Sequence, residues 1–138
     1  MRPPSQALRQ HTACTSMQEA MAELFGAQIP FVFVHMARGQ SEYHQAVRGG
    51  GHGDYRYIVY APHTVQEAAD LVQEAFYTAD KFRTPVLIQA DYVLGHTVEA
   101  VEFKDFDESD LVEKDWAITG AKERPSRVLS FISGSHPL

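Results

Sequence analysis

The chain has 138 residues, 44% hydrophobic and 22% charged, a composition typical of a single soluble globular domain and too short for a two-domain enzyme with its own cofactor fold. Its net charge of -6, from 18 acidic against 12 basic residues, lacks the basic footprint of a nucleic-acid binder, and its longest apolar run, Ile29 to Ala37, falls far short of the roughly 20 residues of a membrane span. The first residues carry no apolar secretory stretch and Cys14 is the only cysteine, so a cytoplasmic protein is expected, with no internal disulfide and no iron–sulfur cluster held by this chain alone.

Residues 1–11, with a Pro-Pro pair and no periodicity, read as an arm. From Thr15, Met17, Ala20, Met21, Leu24 and Phe25 fall on one helical stripe, with Thr15 or Ser16 as cap and Gly26 as stop. FVFVHM then predicts a strand buried on both faces. SEYHQAVRG predicts two helical turns capped by Ser41 and ended by a glycine run, where GGGHGDYR reads as a helix stop and tight turn rather than a phosphate loop, since it leads into a strand. YRYIVYAP is the next strand. HTVQEAADLVQEAFYTADKF is the clearest helix: Val65, Ala68, Ala69, Val72, Ala75, Phe76, Ala79 and Phe82 recur at spacings of three and four, and Thr64 with Glu67 forms a capping box. RTPVLIQAD predicts a third strand. Beyond it come a short edge strand near Val98 to Phe103 and then an acidic stretch, with eight acidic residues between Glu99 and Asp115, and a tail.

Strands alternating with helices imply right-handed crossovers and a parallel sheet, so the class is α/β, an open Rossmann-like sheet with flanking helices. Three strands make only a partial sheet, which an oligomer or a larger subunit would complete. The division expected is 1–11 arm, 12–103 α/β domain, and 104–138 acidic linker and tail. Ligands of such sheets bind at the carboxyl ends of the strands. The polar residues there are His35, Arg38 and Gln40 after the first strand, His63 and Thr64 after the second, and Asp91 and His96 after the third. The three histidines match no compact metal motif and read as loop residues satisfied locally, so no metal site is assigned. No GxSxG elbow is present, and Cys14 reads as a structural or incidental thiol.

The stretch QAVRGGGHGDYRYIVYAPHTVQEAADLVQEAFYTADKFRTPVLIQADYVLGHT, together with KDWAITGAKERPSR from Lys114 to Arg127, closely resembles the α-subunit of the 2-oxoacid:ferredoxin oxidoreductases, especially the 2-oxoisovalerate type. The similarity runs from about Thr15 to about Arg127. It implies a thiamine diphosphate pyrimidine-binding domain and oxidative decarboxylation of a 2-oxoacid to an acyl-CoA with reduction of ferredoxin. It also implies β-, γ- and δ-type partner subunits, with Mg²⁺ and the diphosphate held mainly by a partner and the iron–sulfur clusters on other chains.

Two departures accompany the resemblance. Family α-subunits begin well upstream, in a half that carries the glutamate acting on the aminopyrimidine. A longer family loop between the counterparts of FVFVHM and SEYHQAV is reduced here to ARGQ. Gln40 and Ser41 are the nearest counterparts of that loop's last residues, and with His35 and Arg38 they are the expected cofactor-binding positions. No catalytic residue is assigned. The expectation is a truncated or fragmentary subunit not catalytic alone; the alternative is a non-catalytic α/β subunit-interaction module derived from the same family.

Overall fold

The computed structural model describes residues 17–49, 53–105, 111–114, 116 and 117. Cys14, the helix caps expected at Thr15 and Ser16, most of the glycine run and the terminal tail lie outside them. In chain order the elements are α1 (Gln18–Gly26), β1 (Phe31–Ala37), α2 (Gln40–Arg48), β2 (Ile58–Tyr60), α3 (Val65–Phe82), β3 (Pro85–Asp91) and α4 (Tyr92–His96).

The strands form one parallel sheet in the order β1-β3-β2. The connection through α2 therefore passes over the position that β3 fills, and the return through α3 runs the other way. Right-handed crossovers in opposite directions place the two helices on opposite faces. Two separate cores follow from the alternation of side chains along the strands. On one face Val86 and Ile88 of β3 pack with Ala75 and Ala79 of α3, flanked by Val32, Val34, Ile58, Tyr60 and Val72. On the other, Leu87 packs with Met21 of α1 and Ala46 of α2, flanked by Phe33, Tyr57 and Val59. Leu87 is 1% exposed, and burial of such a side chain contributes roughly 1.5–3 kcal/mol.

The α/β class and its parallel sheet are as expected, but burial is not shared equally among the strands. β3 is buried at six successive positions, whereas Phe31 to Val34 of β1 are only half-buried. The apolar run FVFVHM predicted a strand covered on both faces; among the described residues β1 stands at the sheet edge, pairing with β3 alone, and is less fully covered. β2 shrinks to Ile58–Tyr60.

Helix ends also depart from expectation. Thr64 caps α3 as predicted, its Oγ1 accepting the Glu67 N–H at 3.1 Å. Ser41, expected as a cap, lies inside α2, and extended Gly39 takes the N-cap position without a side-chain bond. Gly26 remains helical, and Gln28 at φ 54° makes the left-handed turn before β1. Gly49, at φ 88°, does end α2, which agrees with the helix-stop reading of the glycine run.

The segment after α4 forms no edge strand. It is lashed to α3: the Gln66 side-chain amide donates to Glu102 O and accepts from Glu102 N, both at 2.8 Å, and Gln73 Nε2 donates to Lys104 O at 2.9 Å. Lys104 Nζ lies 3.1 Å from Asp70, Lys114 Nζ lies 2.6 Å from Asp80, and the Arg83 guanidinium sits over the Trp116 ring at 4.9 Å. Gln66, Asp70, Gln73 and Asp80 recur at helical intervals and share one stripe of α3. Their amide and carboxylate groups satisfy the extended chain where strand pairing was expected. Among the described residues no helix is long and apolar enough to cross a membrane.

Candidate functional site

β1 ends against the first turn of α2, and this junction gathers most of the buried polar groups near the expected site. His35 follows Phe33 on the face that packs against α1 and α2, and it is 5% exposed. Glu42, in the first turn of α2, is 6% exposed. One of its carboxylate oxygens, Oε2, lies 3.2 Å from His35 Nε2 and accepts the Arg38 main-chain N–H at 2.9 Å. A single side chain thus clasps the last turn of β1 and the link Arg38–Gly39. The start of a helix is a favourable place for a carboxylate, because unpaired N–H groups and the aligned peptide dipoles favour negative charge there. That helps Glu42 to bear its burial.

Beside His35 in the β1–β3 register stands Gln89, also 5% exposed. Paired residues of parallel strands point to the same face, so Gln89 faces α2 with His35. Among the described residues neither Nε2 nor Oε1 of its amide has a partner. An amide buried without partners costs about 1–3 kcal/mol by mutational measures.

The other two strand ends are arranged more simply. After β2, Glu67 Oε2 accepts the His63 main-chain N–H at 2.7 Å and lies 2.5 Å from His63 Nδ1. The His63 main-chain N–H, followed by the imidazole, holds the Glu67 carboxyl below the usual carboxylate range. After β3, Asp91 Oδ1 accepts the Leu94 N–H at 2.6 Å and caps α4. His96 Nδ1 pairs with Tyr92 O at 2.8 Å, and its ring rests on the Tyr92 ring at 4.2 Å. His63 and His96 are therefore satisfied locally. Among the described residues no three His, Cys, Asp or Glu side chains meet in a group able to hold a metal ion.

Of the four positions expected to bind a cofactor, His35 and the main chain of Arg38 meet on Glu42, while the Arg38, Gln40 and Ser41 side chains are exposed around the α2 start. The sequence reading missed Glu42 and Gln89. Gln89 did leave a signal, as the lone polar residue in the buried run PVLIQA. Glu42 left a weaker one, sharing with Ala46 the inward stripe of α2.

An open parallel sheet with helices on both faces and polar groups at the carboxyl ends of its strands defines an α/β domain of the cofactor-binding kind. Residues 14–133 match the family described as pyruvate flavodoxin/ferredoxin oxidoreductase, thiamine diphosphate-binding. The chain belongs to that family, and with it to the 2-oxoacid:ferredoxin oxidoreductase subunits. It is 40% identical over 125 residues to a ketoisovalerate oxidoreductase subunit, VorB, of Methanothermobacter marburgensis, covering 83% of this chain and 36% of the relative. The VorB subunit of Methanothermobacter thermautotrophicus is 38% identical over the same shares. A 2-oxoglutarate synthase subunit, KorA, of Methanothermobacter thermautotrophicus is 35% identical over 100 residues, 64% of this chain and 26% of the relative. The chain thus spans about a third of the length of the VorB relatives it matches.

The residues present fit part of thiamine diphosphate. Its aminopyrimidine carries both hydrogen-bond donors and acceptors, and the Gln89 amide offers groups of both kinds that no other described residue engages. The described residues offer no acidic cluster suited to Mg²⁺.

Proposed function

We propose that the chain is part of an α-type subunit of a 2-oxoacid:ferredoxin oxidoreductase and contributes one wall of its thiamine diphosphate site. The observation that carries this reading is the match of residues 14–133 to a thiamine diphosphate-binding family. Ketoisovalerate is the substrate favoured, since the VorB relatives are more similar to this chain than KorA over a longer stretch. In this reading residues 12–103 form the α/β unit, with 1–11 an arm and 104–138 a linker and tail.

When bound, thiamine diphosphate supplies the electron sink for decarboxylation. The work of this chain's residues is to bind and shelter it. Arg38, Gln40 and Ser41 line the ligand side of the α2 start, with Arg38 offering a cation to anionic groups. Gln89 offers its amide to the pyrimidine, and His35 acts from behind through Glu42. In this reading the carboxylate that acts on the cofactor ring comes from outside the described residues, and the chain works as part of an assembly. Mg²⁺, the diphosphate and the iron–sulfur clusters belong to β-, γ- or δ-type partner chains, through which CoA and ferredoxin enter the reaction.

The second reading is a non-catalytic module that docks other subunits. It draws support from apolar side chains on the C-terminal segment, Val98 at 95% and Phe103 at 84% exposed. The two readings separate on one experiment: calorimetric titration of thiamine diphosphate with Mg²⁺ into the full chain assembled with its co-purifying subunits, followed by an assay of ferredoxin reduction with 2-ketoisovalerate and with 2-oxoglutarate. Saturable binding and turnover with the branched substrate support the first. An assembled complex that binds no cofactor leaves the docking module.

A further inference from the structure

We propose that Glu42 is a positioning residue, the buckle that sets the β1–α2 turn in its ligand-binding shape. Three observations meet on it. Its carboxylate is buried at the sheet end. Its Oε2 accepts the Arg38 N–H at 2.9 Å and lies 3.2 Å from His35 Nε2. At the turn it spans, Gly39 takes the α2 N-cap position with extended backbone and no side-chain cap bond, and its carbonyl accepts the Glu42 N–H at 3.1 Å. The Arg38 N–H is thus tied to a side chain of α2 rather than to its backbone, and His35 ties that same side chain to the sheet.

Two bonds to one charged oxygen hold Arg38, Gly39 and Gln40 against the end of β1. Releasing that oxygen leaves the turn with backbone freedom, glycine included. A ligand that needs the turn in a single shape must then order it on binding, and its affinity falls by the fraction of chains already ordered. Glu42 acts through Arg38 and Gln40 and touches no ligand itself. This inference rests on the reading of the α2 start as part of the thiamine diphosphate site.

The test uses the full chain assembled with its co-purifying subunits, comparing wild type with Glu42→Ala, Glu42→Asp and Glu42→Gln. Two readouts are taken: hydrogen exchange at the Arg38 amide, and the dissociation constant of thiamine diphosphate with Mg²⁺ by calorimetry. Glu42→Ala should speed Arg38 exchange and weaken binding by about tenfold or more, the scale of one lost bond to a charged acceptor. Glu42→Asp, which keeps the charge but shortens the reach, should do the same in a chain that still folds. Glu42→Gln keeps an acceptor oxygen and should recover most of both.

A merely structural Glu42 would lower the melting temperature and leave Arg38 exchange and cofactor affinity in the folded complex unchanged; that result overturns the proposal. If Glu42→Ala does not fold, Glu42→Asp decides it on the same two readouts. Should wild type itself bind no thiamine diphosphate, the reading of the site fails, and the positioning role fails with it. Wild-type binding with unaltered binding by the Asp variant removes the positioning role alone.

Discussion

Replacing Gln89 by leucine tests whether its buried amide is kept for a ligand. Gln89 is 5% exposed on the central strand, and among the described residues neither amide atom has a partner. Leucine has a similar volume and no polar atom, so the exchange removes the desolvation cost with little change in packing. With about 1–3 kcal/mol attached to an unpaired buried amide, Gln89→Leu should stabilise the unliganded chain by that amount. For a chain of this size that raises the melting temperature by several degrees, at roughly 3–5 °C per kcal/mol.

Urea unfolding monitored by circular dichroism measures the gain, and its slope shows whether the surface exposed on unfolding is unchanged. The same variant, in the assembled complex, should bind thiamine diphosphate more weakly than wild type, by about the strength of the bonds the amide would have made. Stability gained where binding is lost is the pattern expected of a residue retained for function. The reasoning is refuted if Gln89→Leu lowers stability without ligand, because the amide must then have a structural partner.

Two further outcomes follow from the helix contacts. Glu67 has its carboxyl lowered in the folded chain by the His63 main-chain N–H and imidazole. Its contribution is therefore fully present above the unfolded carboxylate value and lost as pH falls through the folded one, so Glu67→Gln should flatten the acid side of a melting-temperature profile against pH. Gln66→Ala removes both bonds to the Glu102 main chain. Because the contact is exposed it should cost only about 0.5–1.5 kcal/mol in all, and hydrogen exchange at the Glu102 amide should accelerate while β3 stays protected.

Some of the site was legible residue by residue. The strand-end rule found His35 and Arg38, which do meet at the β1–α2 junction, though through Glu42 rather than directly. It passed over Gln89 because that residue lies inside the strand, where its neighbours made it look like core. The three histidines read as locally satisfied side chains, and each has its own partner, but His35 proves to be buried in the fold rather than held in a loop.

The sequence by itself determined the alternation of helices and strands, the long α3 with its Thr64 cap, and the buried β3. These depend on contacts three or four residues apart, or on a run of apolar side chains, and so are written locally. Only the tertiary structure decided that β3 stands at the centre and β1 at the edge, because strand order is set by pairing between distant segments. It also decided that Val98 to Phe103 forms no strand and that Glu102 and Lys104 are bonded to α3 instead, since an extended segment with alternating residues can satisfy its main chain on either partner. The burial of Glu42 belongs to the same class: an acid in the first turn of a short helix reads as solvated until a β-strand is found beneath it.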